Sequence, residues 1–216
     1  MKNLIKILVI EDRANHIADA KQMFEDVKSN LPVEFEVLYA VNLASAMSLI
    51  ANVDCVMTDV FFPDVIDGEE KPNGQTIVEH CLNMEKPVVW VTSTYHHSKK
   101  TQPLYAWGRI RGICLFDCSV GTHNNDSEGE HKLWKEALFG LLSIMIGLEM
   151  KLYMYKYDLH HAQGIVLMQV EGENDTSRPG PLRGTNMIQR YLAMPVKNDF
   201  LIYRVVHKMQ ELGFNM

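Results

Sequence analysis

The chain has 216 residues, of which 47% are hydrophobic and 22% are charged, and its formal net charge is −6. This composition is typical of a globular protein, and the acidic balance argues against nucleic-acid binding, so we expect no DNA-binding residues. The uncharged and strongly apolar run at residues 137–148 is too short to span a membrane, and the first residues lead into a strand pattern rather than a signal peptide. We therefore expect a cytoplasmic protein that makes no membrane contact.

Short apolar segments rich in β-branched residues alternate with segments of helical periodicity up to residue 152. Five segments predict buried strands, namely residues 5–10, 35–40, 53–59, 87–93 and 113–116. Helical spacing of apolar residues predicts helices between these strands and a last, long helix over residues 131–151. Strands and helices that alternate in this way predict an α/β fold, a doubly wound five-stranded parallel sheet of the flavodoxin-like type.

The pattern changes after residue 152, so we predict one domain at residues 1–152 and a C-terminal extension at residues 153–216. Within the extension, residues 186–193 and 198–212 have helical spacing, and we predict that it is mostly helical. Two shorter apolar runs remain ambiguous between helix and strand, residues 153–157 and 165–170.

The helix predicted over residues 131–151 has more Leu, Ile and Met residues than one core-facing stripe needs. A surplus of this kind indicates a second packing surface, either for the C-terminal extension or for another subunit. We therefore expect a protein partner or a dimer through this helix.

Acidic and hydroxyl residues follow three of the predicted strands. Glu11 and Asp12 end the first strand, Asp59 ends the third, and Thr92 ends the fourth. In a flavodoxin-like strand order the first and third strands are neighbours, so their acidic residues meet at one edge of the sheet. Carboxylates so close together repel one another unless a cation binds them, and Mg²⁺ is the cation that such oxygen ligands suit best. The sequence therefore predicts a magnesium site at this edge.

In these features the chain resembles the receiver domain of bacterial two-component response regulators. The resemblance extends over residues 4–150 and depends on the order and spacing of three motifs. These motifs are the first strand with its acidic pair (residues 7–12), Asp59 with the proline four positions later, and the fourth strand with its terminal hydroxyl (residues 87–92). The family resemblance implies a protein of phosphorelay signal transduction rather than an enzyme.

The resemblance implies a role for each of these residues. Asp59 would be the phosphoacceptor, which takes a phosphoryl group from a histidine kinase or a phosphotransfer protein. Glu11, Asp12, Asp59 and the backbone carbonyl of Phe61 would bind Mg²⁺. Thr92 would be the hydroxyl that moves toward the new phosphate and switches the protein.

Pro63 matches the loop proline that follows the phosphoacceptor in the family, but two neighbouring features depart from the family pattern. The family has a lysine at the end of the fifth strand, where this chain has residues 116–119 (Phe-Asp-Cys-Ser). Three lysines could replace it from a loop: Lys99, Lys100 and Lys132. The loop between Pro63 and Gly74 is also longer than usual and acidic.

Two further classes of function are compatible with the same residues. The first is an adaptor that keeps the receiver fold and binds other proteins independently of phosphorylation, which the missing fifth-strand lysine favours. The second is a metal-dependent phosphatase or nuclease that uses the acidic edge. The sequence disfavours this enzyme, because neither Glu11-Asp12 nor Asp59 belongs to an Asp-x-Asp motif.

Overall fold

The computed structural model describes residues 4–94, 98–117, 132–146, 150–158, 163–171, 187–194, 206–207 and 209–213. For the three segments between residues 150 and 194 it describes the backbone only. Among the helices of these described residues, none has the length and apolar character needed to cross a membrane.

The elements alternate between strands and helices through most of the chain. In order they are β1 (Leu4–Ile10), α1 (Ala14–Val27), β2 (Glu34–Ala40), α2 (Leu43–Leu49), β3 (Cys55–Thr58), β4 (Phe62–Pro63), β5 (Glu70–Lys71), α3 (Asn73–Asn83), β6 (Val88–Thr92), α4 (Gln102–Ile110), β7 (Leu115–Asp117), α5 (Trp134–Met145), β8 (Met150–Asp158), β9 (Gln163–Glu171) and β10 (Met187–Met194).

Five parallel strands form one side of the sheet in the order β2-β1-β3-β6-β7. This confirms the predicted α/β fold with a five-stranded parallel sheet, and the order is consistent with the flavodoxin-like type. Ile10 pairs with Thr58, and Thr58 pairs with Trp90. Because the strands are parallel and in this register, β1, β3 and β6 end at the same edge of the sheet.

The C-terminal part extends the sheet, which has the full order β10-β9-β8-β7-β6-β3-β1-β2. β8 is parallel to β7, whereas β9 and β10 follow as antiparallel neighbours. The prediction of a helix over residues 186–193 is therefore wrong, and the described residues between 150 and 194 form strands rather than helices. The run from Met187 to Met194 suits either structure by composition, and its pairing with β9 along the whole strand decides for the strand.

Two further boundaries differ from the prediction. The helix predicted over residues 131–151 begins at Trp134 and ends at Met145, because the chain enters β8 at Met150. The predicted domain boundary at residue 152 lies inside β8. Of the helix predicted over residues 198–212, the described residues 206–207 and 209–211 are helical.

Apolar cores lie on both faces of the sheet. One core includes buried residues of α1 and α5, among them Phe24 and Leu138. The other includes buried residues of α2 and α3, among them Ala46 and Ile77, and α4 packs against it. In α1 the buried residues recur at helical spacing and form one stripe that faces the sheet: His16, Ala20, Met23, Phe24 and Val27.

Candidate functional site

Three carboxylates meet where β1 and β3 end. Each of Glu11, Asp12 and Asp59 has a carboxylate oxygen within 4.8 Å of the others. The backbone fixes this arrangement, since the Asp59 N–H donates a 2.9 Å hydrogen bond to the carbonyl of Ile10. Glu11 is fully buried, Asp59 is 6% exposed, and Asp12 is half-buried. The sequence-based expectation that these side chains lie together is therefore met.

Lys132 occupies the centre of this cluster. Its ammonium group donates a hydrogen bond to Glu11 Oε2 at 2.5 Å and lies 2.7 Å from Asp59 Oδ2. The Lys132 side chain is fully buried. It enters the site from the residues just before α5 and not from the end of β7. Among the three candidate lysines, Lys132 is the one that the structure places between the carboxylates.

Glu11 holds Lys132 and is itself held by α1. Its Oε1 accepts a 3.1 Å hydrogen bond from the backbone N–H of Arg13 and lies 3.4 Å from His16 Nδ1. Burial alone would raise the pKa of Glu11, but the hydrogen bond with His16 and the charge of Lys132 outweigh it and lower that pKa. Glu11 is therefore a buried anion at neutral pH.

Asp59 and Asp12 lie in less favourable surroundings for a charge. Burial raises the pKa of Asp59 to about 6, although Lys132 opposes this effect. The backbone N–H of Val60 donates a 2.6 Å hydrogen bond to Asp59 Oδ1. Burial and the negative charge of Glu11 raise the pKa of Asp12 above its ordinary value. Asp59 is ionised at pH 7, but both carboxylates would gain from another cation.

Lys132 carries the compensating charge. Burial would lower its pKa, but the neighbouring carboxylates of Asp59 and Glu11 raise it above the ordinary lysine value. Lys132 is therefore an ammonium ion at neutral pH, and it balances one of the three negative charges.

The donor set fits a divalent cation. Asp12 Oδ1 is buried and has no hydrogen-bond partner within the part of the chain that the structure describes. A buried carboxylate oxygen without a partner is costly, and coordination to a metal would satisfy it. Three carboxylates and a single lysine leave a net negative charge that a hard cation with oxygen ligands, such as Mg²⁺, would balance.

The other predicted site residues lie around this edge. Thr92 is the last residue of β6 and only 1% exposed, and its Oγ1 accepts a 3.1 Å hydrogen bond from the Thr94 N–H. Phe61 and Pro63 are buried in the loop that follows Asp59. Asp117 ends β7 and pairs with Thr92 through the backbone, whereas Cys118 and Ser119 lie outside the described residues.

The long acidic loop after Pro63 is closed at its base by a short ribbon. β4 and β5 pair as antiparallel strands, with Pro63 opposite Glu70. Glu70 accepts a hydrogen bond from the Arg13 guanidinium at 3.2 Å and lies 3.7 Å from Lys100 Nζ. From the sequence, only the acidity of this loop was recognisable; the ribbon and its ion pairs were not predicted, because they depend on residues far apart in the chain.

Gly74 brings α3 against the loop that follows Asp59. A Cβ atom at this position would lie 2.3 Å from the carbonyl oxygen of Asp59 and 2.8 Å from Val60 Cα. The Gly74 N–H also donates a 3.1 Å hydrogen bond to the carbonyl of Val60. Only glycine permits this approach. A glycine at position 74 is therefore the feature of the sequence that indicates close packing of α3 against the loop after Asp59.

Residues 137–143 of α5 are buried in the chain's own core. Much of the apolar surplus that predicted a partner surface therefore packs inside the chain. Towards the end of α5, Ile144 is 38% exposed.

Comparisons of this chain with protein-family models, with curated proteins and with solved structures give no match.

Proposed function

We propose that this chain is an atypical receiver protein of phosphorelay signal transduction, with a doubly wound, flavodoxin-like domain that accepts a phosphoryl group on Asp59. The single observation that supports this most strongly is buried Lys132, which joins Glu11 and Asp59 beside Asp12 Oδ1, an oxygen without a hydrogen-bond partner among the described residues. Lys132 supplies the cation that residues 116–119 lack, and Asp59 ends a central strand as a phosphoacceptor would.

The reaction needs an ionised nucleophile and a way to disperse negative charge. A histidine kinase or a phosphotransfer protein would donate the phosphoryl group as a phosphohistidine. An Asp59 oxygen forms the new P–O bond while the P–N bond breaks, and the histidine nitrogen keeps the electron pair. With a pKa of about 6, Asp59 is mostly ionised at pH 7 and can act as the nucleophile.

Lys132 and the carboxylates have different electrostatic roles: Lys132 would bind the phosphoryl group, and the carboxylates would bind Mg²⁺. Two charges 4 Å apart interact with about 4 kcal/mol at an intermediate dielectric, so a lysine beside the acceptor contributes substantially to binding a phosphoryl group. Glu11, Asp12, Asp59 and the Phe61 carbonyl would hold Mg²⁺, which when bound would neutralise the phosphoryl oxygens and align them. Glu11 also keeps Lys132 in place, since its Oε2 accepts the lysine's hydrogen bond.

Thr92 is the residue that would couple phosphorylation of Asp59 to a conformational change in the rest of the fold. Its hydroxyl is buried at the end of the strand next to β3 and accepts a hydrogen bond from Thr94. Exchange of this bond for one to the phosphoryl group would move the segment between β6 and α4. Movement of a single buried hydroxyl is enough to bias a switch whose states differ by a few kcal/mol.

Binding of Mg²⁺ and beryllofluoride, a phosphoryl analogue, tests this proposal. We expect the two together to raise the melting temperature of the wild-type chain, and we expect no such rise for Asp59→Asn or Lys132→Met. Lys135→Met is the matched control, because Lys135 lies three residues further along and is only partly buried. A wild-type chain that does not respond, or an Asp59→Asn variant that responds equally, would contradict the proposal.

The second candidate is a receiver-fold adaptor that binds a partner protein without phosphorylation. The observation that favours it is that Lys132 already hydrogen-bonds Glu11 and ion-pairs with Asp59, which stabilises the fold without a metal. An adaptor of this kind would show no Mg²⁺-dependent stabilisation. Calorimetric titration of Mg²⁺ alone distinguishes the two, because the phosphoryl-accepting receiver requires binding and the adaptor does not.

A further inference from the structure

Two cations from separate parts of the chain meet a single carboxylate beside the acidic cluster. The Arg13 guanidinium lies 3.2 Å from Glu70 Oε1, and Lys100 Nζ lies 3.7 Å from Glu70 Oε2. All three side chains are partly exposed, so solvent reaches these pairs. Arg13 precedes α1, Lys100 precedes α4, and Glu70 lies on the β4–β5 ribbon, so the contact joins three loops.

This group lies beside the candidate site. Arg13 follows Asp12 directly, and its backbone N–H bonds the Glu11 carboxylate. Lys100 Nζ lies 4.0 Å from the centre of the Phe61 ring, two residues after Asp59. The negative charge of Glu70 is also close enough to Asp12 to raise the pKa of that carboxyl further.

We propose that Arg13 and Lys100 form a second, outer anion site for the phosphoryl group on Asp59, and that Glu70 occupies this site until the phosphoryl group arrives. This inference rests on the proposed function, because it assigns the ligand of the same site. The ligand class is a phosphoryl oxyanion, bound on its inner side by Lys132 and on its outer side by the two exposed cations.

The charges of the site explain why a second anion site is needed. A phosphoryl group replaces one carboxylate charge by nearly two negative charges and adds three acceptor oxygens. Lys132 shares its ammonium group between Glu11 and Asp59, so a bound phosphoryl group must compete with Glu11 for it. The outer cations are partly exposed and pair with Glu70, which lies outside the buried cluster.

The weakness of the Glu70 pairs makes the exchange feasible. Exposed ion pairs contribute little to stability because water and salt screen them and because long side chains lose entropy. Arg13 and Lys100 therefore lose little when they leave Glu70, and they gain contact with an anion of higher charge. Glu70 then acts as an internal competitor that lowers the affinity of the site for phosphoryl oxyanions.

Beryllofluoride titrations of the full chain in Mg²⁺, followed by tryptophan fluorescence, test this inference. Trp134 lies close to Lys132, and Trp90 lies on β6, two residues before Thr92, so both can report binding. We expect Lys100→Ala to weaken the apparent affinity about two- to fivefold and Glu70→Gln to strengthen it by a similar factor. Both effects should shrink at high salt, because the groups are exposed.

Each variant has a neighbour that serves as its control. Lys99→Ala removes an exposed lysine adjacent to Lys100, and Glu69→Gln removes an exposed carboxylate adjacent to Glu70. We expect both controls to bind as the wild type does. The double variant Glu70→Gln/Lys100→Ala separates competition from a general charge effect, because the gain from Glu70→Gln should shrink when Lys100 is absent.

The outcomes separate this inference from the proposed function. A wild-type chain that does not bind beryllofluoride overturns both. A wild-type chain that binds, with Lys100→Ala equal to Lys99→Ala and Glu70→Gln equal to Glu69→Gln, overturns the outer anion site and leaves the proposed function standing. If Glu70→Gln strengthens the apparent affinity for beryllofluoride as much in the Lys100→Ala background as in the wild type, Glu70 does not compete for Lys100, and this too overturns the inference.

Discussion

At the scale of single residues, the site is defined by one buried ammonium ion among three carboxylates. Lys132 contacts Glu11 and Asp59, which follow two different strands, so it joins β1 and β3 to the start of α5. An ion group of this kind is sensitive to the loss of any member, because the remaining charges stay buried without compensation. Two predictions follow from the balance of these charges.

The first concerns Lys132→Met, which keeps most of the length of the side chain and removes its charge. We expect the free energy of unfolding in metal-free buffer to fall by about 3–5 kcal/mol, the usual cost of leaving a buried partner uncompensated. Urea unfolding measures this value. Lys135→Met should change it by less than about 0.5 kcal/mol, as surface substitutions do. Equal stabilities of the two variants would show that Lys132 is not essential to the charge balance.

The second prediction concerns pH. Because burial raises the pKa of Asp59 from 3.8 to about 6, the folded chain holds a proton that the unfolded chain releases between these values. The contribution of Asp59 to the free energy of unfolding should therefore fall as pH rises from about 4 to about 6 and then level off. A shift of this size corresponds to about 3 kcal/mol.

Asp59→Asn cannot release this proton and isolates the effect. In buffer with a metal chelator, the stability of Asp59→Asn relative to the wild type should increase from pH 4 to pH 6 and stay constant above it. Urea unfolding at a series of pH values gives the difference. Parallel curves for the two proteins would mean that the pKa of Asp59 is not raised.

The sequence predicted part of this residue-level picture. Glu11, Asp12 and Asp59 could be predicted because each follows an apolar run that is recognisable as a strand, and parallel strands end at the same edge. Lys132 could be identified only as one of three candidates. It reaches the site after residues 118–131, and the sequence of such a segment does not indicate where its last residue lies.

At the scale of elements, close backbone packing positions the loop that follows Asp59, which is the acceptor loop of the proposed function. Gly74, in the first turn of α3, lies against the backbone of Asp59 and Val60, and its carbonyl accepts a 3.0 Å hydrogen bond from Trp90 Nε1. Trp90 in turn lies against Gly108 of α4, where a Cβ atom would come within 2.4 Å of its ring. The acceptor loop, α3, β6 and α4 are thus in direct contact.

Gly74→Ala tests this packing. The added methyl group would overlap the carbonyl oxygen of Asp59, so we expect a loss of about 1–3 kcal/mol in the free energy of unfolding together with weaker beryllofluoride binding. Gly112→Ala is the control, because Gly112 has φ +72° and no atom within 4 Å of its missing Cβ. It should lose about 1–2 kcal/mol through backbone strain alone and bind beryllofluoride normally.

If Gly112→Ala weakened beryllofluoride binding as much as Gly74→Ala does, the effect would reflect general instability rather than displacement of the acceptor loop.

Elements could be predicted from the sequence where local pattern and tertiary structure agree. The five parallel strands are short apolar runs between helices, and each was recognisable. β10 was not recognisable as a strand, because apolar and polar residues do not strictly alternate over residues 187–194. These residues become a strand through pairing with β9. The helix predicted to continue to residue 151 ends at Met145 for a similar reason, since the residues that follow pair with β7 and β9.

At the scale of the whole molecule, the C-terminal part belongs to the same core as the five-stranded parallel part. β8 continues the sheet directly from β7. Met209 is fully buried in the apolar core that includes α1 and α5, and Val206 packs against the same core. We therefore expect the chain to unfold as one cooperative unit.

Met209→Ala tests whether the C-terminal segment unfolds together with the rest of the chain. Truncation of a buried methionine leaves a cavity, so the free energy of unfolding should fall by about 2–5 kcal/mol in a single transition. Met47→Ala, at a residue 36% exposed on α2, should change it by less than about 1 kcal/mol. Equal effects, or a separate early transition for Met209→Ala, would show that the C-terminal segment is an independent unit.

The most direct measurement of the central claim is the intact mass of the full chain after incubation with acetyl phosphate and Mg²⁺. We predict an adduct with the mass of one phosphoryl group on the wild type, none on Asp59→Asn, and a strongly reduced amount on Lys132→Met, with Lys135→Met as the control that behaves like the wild type. An adduct that persists in Asp59→Asn, or its absence from the wild type when the protein is folded, would contradict the assignment of Asp59 as the phosphoacceptor.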